Sequence, residues 1–462
     1  MGLTRTEILF PLVVAFVART AMLPFAHLSD PNLWEYGDIA RHLLHGDGYA
    51  FTWLTPLLPA FSATSAIMPP GETFVQFFAL KLFGDALPAY IAIFLLQVLC
   101  GVGFTYVIGR LTHKLFRARR IVLIGLWSAA IYPSFVYATA TFGVASEILL
   151  LNSLFLYTAV LLYDAIKEEK KVFKRILGFG TVAGLLGYFR SEAPLPVFGA
   201  LLLMLFLQRH SLRRAFGPVI AVALLFAAMQ APWTLRNYQT FHTFIPGSTS
   251  GGYNFWKGNS AAATGSGWDE SGIVVSPTLG EWMKVYELGK ADASFDIHFS
   301  DALKARATEW ISSHPTEEAL LVAKKVILLW TIDRNNPLAR SWEYIVLYAA
   351  TLLLVVVGWI SWLRTKRVGS QFGQLLIGLC CLIYTALAAA FFVVPRYQIF
   401  MIGCYWPFVA FGIEAVLARR KPTIAASHEG RNRTDRGSNT KPQTKQVGAP
   451  KLILKAQKHS LS

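Results

Sequence analysis

Charge is what this sequence has least of: Asp, Glu, Lys and Arg make up only 15% of its 462 residues, against 54% hydrophobic ones. A soluble domain cannot hide that much apolar surface, so the water-soluble globular class is excluded. Cysteine is scarce as well. Cys100, Cys380, Cys381 and Cys404 all stand inside apolar stretches with no CxxC or Cys/His spacing, which supports neither a disulfide framework nor a zinc site. The patterns GxxxxGK[ST], HExxH and GxSxG are missing, so nucleotide hydrolysis, zinc proteolysis and serine hydrolysis have no support. No internal repeat is visible. Any energy for a reaction must therefore arrive with the substrate.

What is present is a series of apolar stretches of about twenty residues, each long enough to cross roughly 30 Å of hydrocarbon. Basic clusters at Lys114/Arg117/Arg119/Arg120, Lys167/Lys170/Lys171/Lys174/Arg175, Arg209/Arg213/Arg214 and Arg364/Lys366/Arg367 are expected on the cytoplasmic side. One topology satisfies all of them: an all-α polytopic membrane protein with ten spans. These are expected at about 7 to 26, 86 to 110, 121 to 142, 144 to 163, 175 to 190, 193 to 207, 215 to 233, 342 to 363, 373 to 394 and 398 to 418. Both termini then lie inside. The first span has no small-residue cleavage site and contains Arg19, and reads as a permanent anchor. Two shorter apolar pieces, about 71 to 84 and 319 to 332, read as juxtamembrane helices at the outer surface. The transmembrane domain covers 1–418, with external regions at 27–85 and 234–341.

The formal charge of +16 is concentrated in 419–462, where eleven Lys/Arg face Glu429 and Asp435. That distribution reads as positive-inside topology and affinity for anionic membrane lipids, with no nucleic-acid partner, and the tail as a basic, disordered cytoplasmic segment.

Acids follow the first span at Asp30, Glu35, Asp38 and Asp47. A helix through Trp34 to Leu44 puts Glu35, Asp38 and His42 on one face. A carboxylate there can serve as general base on an acceptor hydroxyl, or simply be a solvated loop residue. Arginines recur at the outer ends of helices, namely Arg190, Arg236, Arg334, Arg340 and Arg396, against the positive-inside trend. They point to an anionic partner such as a phosphate, or to pairing with Glu192, Asp333 or Glu343. Glu147 and Glu192 are expected to cap helix N-termini. Gly247 to Gly252 is either a phosphate- or sugar-approaching loop or a flexible one.

In order along the chain stand Glu35-Tyr36-Gly37-Asp38-Ile39-Ala40, Leu44-His45-Gly46-Asp47-Gly48-Tyr49 and Ala66-Ile67-Met68-Pro69-Pro70-Gly71. After them come Tyr132-Pro133 with Ser146-Glu147, Arg190-Ser191-Glu192, Pro232-Trp233-Thr234-Leu235-Arg236-Asn237-Tyr238, Gly251-Gly252-Tyr253-Asn254 with Gly258-Asn259, His314-Pro315, and Arg396-Tyr397. With these residues, about 5 to 418 resembles the GT-C class of membrane glycosyltransferases, in particular bacterial relatives of the protein mannosyltransferases and the lipid A aminoarabinose transferases. The resemblance implies a GT-C-like fold and a transferase at the periplasmic face of the inner membrane. Its donor would be a polyprenyl-phosphate sugar and its acceptor a glycan, lipid or protein.

It also implies a catalytic carboxylate in the first external loop, where the expected Asp-Glu pair is absent. Glu35 fits the tyrosine-containing motif best, with Asp30 and Asp38 as the other candidates. The donor phosphate would meet Arg396, Tyr397, Arg236 and Arg190, and Asn237, Gly252, Asn254 and Asn259 would form the substrate loop. No cofactor is required; no spacing demands a divalent metal through Asp30, Glu35 and Asp38, and metal-independent turnover is expected. The alternative reading is a transporter or flippase for a polyprenyl-phosphate lipid, disfavoured because the mid-helix positions are nearly free of ionisable residues.

Overall fold

In a computed structural model the residues described are 3 to 54, 60 to 278, 282, 295 to 365 and 369 to 419. Among them run sixteen α-helices and one hairpin. In chain order the first elements are α1 (Arg5–Thr20), α2 (Trp34–His45), β1 (Ala50–Trp53), β2 (Phe61–Thr64), α3 (Pro70–Phe83), α4 (Leu87–Phe116), α5 (Arg119–Ile131), α6 (Pro133–Tyr137), α7 (Ala145–Lys167) and α8 (Phe173–Phe189). Then come α9 (Pro194–Leu207), α10 (Leu212–Phe241), α11 (Gly251–Gly258), α12 (Phe295–Ser313), α13 (Pro315–Trp330), α14 (Trp342–Arg364), α15 (Gln371–Ala390) and α16 (Pro395–Arg419).

The expected spans fall on helices, one of them broken and two of them short, and the chain is a multi-pass membrane protein. Among the described residues seven helices are long and apolar enough to cross a bilayer: Arg5–Phe25, Leu87–Phe116, Ala145–Lys167, Arg209–Phe241, Trp342–Arg364, Gln371–Ala390 and Pro395–Ala418. The expected span at 121 to 142 is instead a pair, Arg119–Ile131 with Pro133–Ala140, bent by 50°. Pro133 explains the break, since proline pushes the residue before it out of the helical region, and Tyr132 is extended at φ −61°, ψ 119°. The helices α8 and α9 have only 17 and 14 residues. The short apolar pieces expected outside the bilayer are α3 and α13.

Helix α1 begins with a reciprocal cap in which the Thr4 hydroxyl accepts from the Glu7 amide and the Glu7 carboxylate accepts from the Thr4 amide. At its other end Arg19 is fully buried yet donates to the carbonyls of Ala15, Ala129 and Ala130 at 3.2, 3.3 and 3.0 Å. An arginine within an apolar segment is thereby placed on helix-end acceptors. The bundle centres on α4, which packs along α7, with α8 against α7 and α10.

Most of the basic clusters lie together at one end of the bundle. Lys114 pairs with Asp164 at 2.9 Å, the Lys114 carbonyl accepts from the Ser370 amide, and Arg214 pairs with Glu169 at 2.7 Å.

At the opposite end the hairpin pairs Ala50 with Thr64 and Trp53 with Phe61, antiparallel. Two strands alone are marginal. Here Trp53 and Ala63 bury against Trp256 of α11 and Phe295, Phe299 and Leu303 of α12, forming a separate core outside the bundle. Within the expected external region 234–341 the chain is helical from Phe295 to Ser313; most of 279 to 294 lies outside the described residues.

Candidate functional site

Helix α2 carries the first acids. Gly46 ends it at φ +90°, a left-handed position where a side chain would be strained. Glu35, Asp38 and His42 do share its face, but they face different neighbours. Asp38 accepts from the Thr52 amide at 2.7 Å. His42 bonds Asp47 through Nδ1 and Thr52 Oγ1 through Nε2, both at 2.8 Å. These two residues fasten β1 to the helix. Glu35, in the first turn, carries no side-chain hydrogen bond or ion pair among the described residues and is half-buried.

Cations come to Glu35 from two other elements. Arg396 is the second residue of α16 and exposed, with its guanidinium 5.7 Å from the Tyr397 ring centre. Lys257, near the end of α11, is buried, its ammonium 5.1 Å from the Phe392 ring centre and 5.7 Å from that of Tyr253. Burial pushes the Lys257 ammonium down to about 8, the neighbouring Arg396 pushes the same way, and Glu35 opposes. Arg190 caps the end of α8, donates through Nε to Glu192 at 2.6 Å, and lies over the rings of Tyr397 and Phe400 at 5.1 and 5.3 Å. Tyr36, half-buried beside Glu35, ties these groups together: desolvation raises its phenol, Arg190 and Arg396 lower it, and Glu72 and Glu35 raise it further. Glu35, Arg396, Tyr397 and Arg190 are thus brought to one place.

Other expected site residues are not. Arg236 donates to the carbonyls of Ser65 at 2.7 Å and Tyr49 at 3.1 Å and is flanked by the rings of Tyr49, Trp233 and Phe241. Its fork is already occupied by backbone. Asn237, fully buried, donates to Ile245 O and accepts from Arg236. Gly252 lets α11 approach α12: its amide donates to Ser300 Oγ at 3.1 Å, and a Cβ there would lie 1.9 Å from the Ser300 carbonyl. Asn259 bridges Phe255 O and Ala390 O and accepts from Lys325. These three residues build the loop. Asn254, half-buried on α11, donates its amide to Ser250 O, and Asp30 is exposed ahead of α2.

Two expected caps are corrected. Val144, not Glu147, precedes α7, and both Glu147 carboxylate oxygens are buried without a hydrogen-bond partner. Ala193 precedes α9, while Glu192 turns back to Arg190. Sequence reasoning missed Lys257, Tyr36 and the buried acid Glu72 of α3, whose carboxyl is raised well above the ordinary range by burial, then by Glu147, against a hydrogen bond from Gln76. The one signal for Lys257 was a lone cation amid small and aromatic residues. Among the described residues no three His, Cys, Asp or Glu gather to hold a metal ion.

No protein-family model and no curated protein matches the sequence. The fold has solved counterparts. The archaeal oligosaccharyltransferase AglB of Archaeoglobus fulgidus, in complex with an inhibitory peptide and a dolichol-phosphate, superposes with a TM-score of 0.55 at 12% identity over 90% of this chain. The chain has the GT-C fold. It spans 51% of that protein's length. The same enzyme tethered to an acceptor peptide gives 0.54 at 12% identity, covering 90% of this chain and 50% of that one. ArnT of Cupriavidus metallidurans bound to undecaprenyl phosphate gives 0.38 at 14% identity, covering 89% and 78%. In this GT-C fold, α2, α3 and the hairpin lie at the end of the bundle that bears Glu35 and Arg396.

Proposed function

We propose that the chain is an inverting glycosyltransferase that moves a sugar from a polyprenyl-phosphate donor to an acceptor on the extracytoplasmic side of the membrane. The observation that carries this reading is the meeting of one unpaired carboxylate, Glu35, with Arg396 and Lys257, three groups from separate elements at one end of the bundle. The basic clusters at the other end favour assigning the Glu35 end to the outside, with both termini cytoplasmic. AglB, solved with a dolichol-phosphate, supports the donor class.

The Glu35 carboxylate takes the proton of the acceptor hydroxyl, whose oxygen bonds to the sugar anomeric carbon. The bond from that carbon to the phosphate oxygen breaks, and the electron pair leaves with the lipid phosphate. Arg396 and Lys257 stabilise the charge arriving there, from positions fixed before the reaction. Arg190 is ion-paired with Glu192 and holds Tyr397 in place. The external domain is 27–85 with 234–341, and 419–462 needs no catalytic part.

The test is to incubate the purified protein with a panel of polyprenyl-phosphate sugars and measure released lipid phosphate. Release with at least one donor, abolished by Glu35→Gln while donor binding persists, is the expected result. Binding without release from any donor would favour a lipid transporter.

A further inference from the structure

On the flank of the bundle, toward the end that carries the basic clusters, one arginine has no counter-charge. Arg110 of α4 donates through Nη1 to the Tyr106 hydroxyl and through Nη2 to the Tyr157 hydroxyl of α7, both at 2.9 Å. Its guanidinium carbon is 5.8 and 5.6 Å from the two ring centres, so it sits between the rings. The group faces outward: Arg110 and Tyr157 are half-buried, and Tyr106 is 36% exposed.

Several neighbouring cations are paired. Lys114 reaches Asp164 at 2.9 Å, Arg120 reaches Glu414 at 3.0 Å, Arg214 reaches Glu169 at 2.7 Å, and Arg119 is paired with Glu7. Arg110 stands one turn, ~6 Å, further into the span than Lys114, where an uncompensated charge costs more. Among the described residues no carboxylate lies within ion-pair distance of it. Nor does it reach forward past Phe116 to water, as a snorkelling side chain does. Tyr106 lies four residues nearer the middle of α4 and holds one arm of the fork back.

The two hydroxyls do not complete the site. Each phenol accepts from the guanidinium and still carries its own O–H, and neither O–H donates to another described residue. Arginine brings only donors. The three side chains therefore present one positive charge and a converging set of spare donors, with no acceptor facing them. Water can take the donors but leaves the charge uncompensated beside lipid. An ionised phosphate answers both needs, because its oxygens match the guanidinium fork and accept from phenols as well. Basic pockets between spanning helices suit anionic head groups for the same reason. We propose that Arg110, Tyr106 and Tyr157 bind the phosphodiester of one anionic phospholipid of the phosphatidylglycerol class. The head group clips α4 to α7 at the end of the bundle opposite Glu35. This site does not rest on the glycosyltransfer reading.

The test uses the full chain, delipidated in detergent and titrated with phosphatidylglycerol or phosphatidylcholine while bound lipid is counted by native mass spectrometry and the melting temperature is followed by tryptophan fluorescence. A single phosphatidylglycerol held in preference to phosphatidylcholine, with a saturable rise in melting temperature, is expected. Arg110→Gln should weaken that binding by about 10- to 100-fold, the equivalent of one charge-assisted hydrogen bond. Tyr106→Phe/Tyr157→Phe, which keeps the rings and the charge, should weaken it by less. Arg214→Gln removes the same charge from an exposed ion pair at the same end and should leave it unchanged. Should Arg110→Gln fail to fold, Arg110→Lys, which keeps the charge without the fork, and the tyrosine pair decide. The proposal is overturned if the wild type shows no preference for phosphatidylglycerol, if the variants at Arg110 and the tyrosine pair bind it as the wild type does, or if Arg214→Gln weakens binding as much as Arg110→Gln. Displacement of the lipid by inorganic phosphate, or by an equal concentration of a polyprenyl phosphate, would give the site to that phosphate and overturn the phospholipid assignment.

Discussion

The Lys257 ammonium lies 5.1 Å from the centre of the Phe392 ring, buried, with no carboxylate in ion-pair contact among the described residues. Aromatic faces stabilise a cation less than water or a carboxylate does, and Arg396 repels it, which is why its proton is held less tightly than a solvated lysine's.

A pH dependence follows. The folded Lys257 titrates at about 8 rather than at its ordinary 10.5, so it is half charged near pH 8, fully charged well below and neutral well above. If that charge binds the donor phosphate, KM for the donor should rise as pH climbs through about 8. Lys257→Arg should abolish that rise, because a guanidinium stays protonated. Stability runs the other way: the folded state loses the proton first, so the cost of burying the charge is relieved between about pH 8 and the ordinary lysine range. Steady-state kinetics against pH, with a melting curve at each point, reads both.

Glu35→Gln preserves shape and removes the base. Loss of general-base assistance is worth about 10²- to 10⁴-fold. kcat should fall by that order with the donor dissociation constant within about twofold of wild type. Asp38→Asn is the contrasting variant. It weakens the charge-assisted bond to the Thr52 amide, a contact worth about 1.5–3 kcal/mol, so it should lower the melting temperature while leaving kcat near wild type once folded. A kcat loss in Asp38→Asn equal to that of Glu35→Gln would move the base to Asp38.

These contrasts also show what the sequence could reveal. The spans were readable because twenty apolar residues have one physical solution in lipid. Helix α2 was readable because Glu35, Asp38 and His42 recur at helical spacing. The hairpin was not, since a four-residue strand such as Ala50–Trp53 forms only when α11 and α12 cover it. Arg396 and Arg236 looked alike, both cations at outer helix ends. What separates them is the tertiary position of the Ser65 and Tyr49 carbonyls, which no local pattern encodes. Lys257 was missed for the same reason, because Phe392 comes from a distant part of the chain. Glu147 had the spacing of a cap, but Val144 took that place and the carboxylate turned into the core.

Arg396→Ala and Arg236→Ala should therefore fail in different ways. Removing Arg396 takes away an exposed cation that holds no backbone group among the described residues, so folding should survive. Donor KM should rise by about 10- to 100-fold, the equivalent of one charge-assisted hydrogen bond. Arg236→Ala should cost about 2 kcal/mol or more of stability, because it leaves the Ser65 and Tyr49 carbonyls without their donor in a half-buried setting. The surviving folded fraction should bind donor with nearly wild-type affinity. Melting temperature and donor titration on each variant check this, and a donor-binding loss confined to Arg236→Ala would place the phosphate beside Tyr49 rather than beside Tyr397.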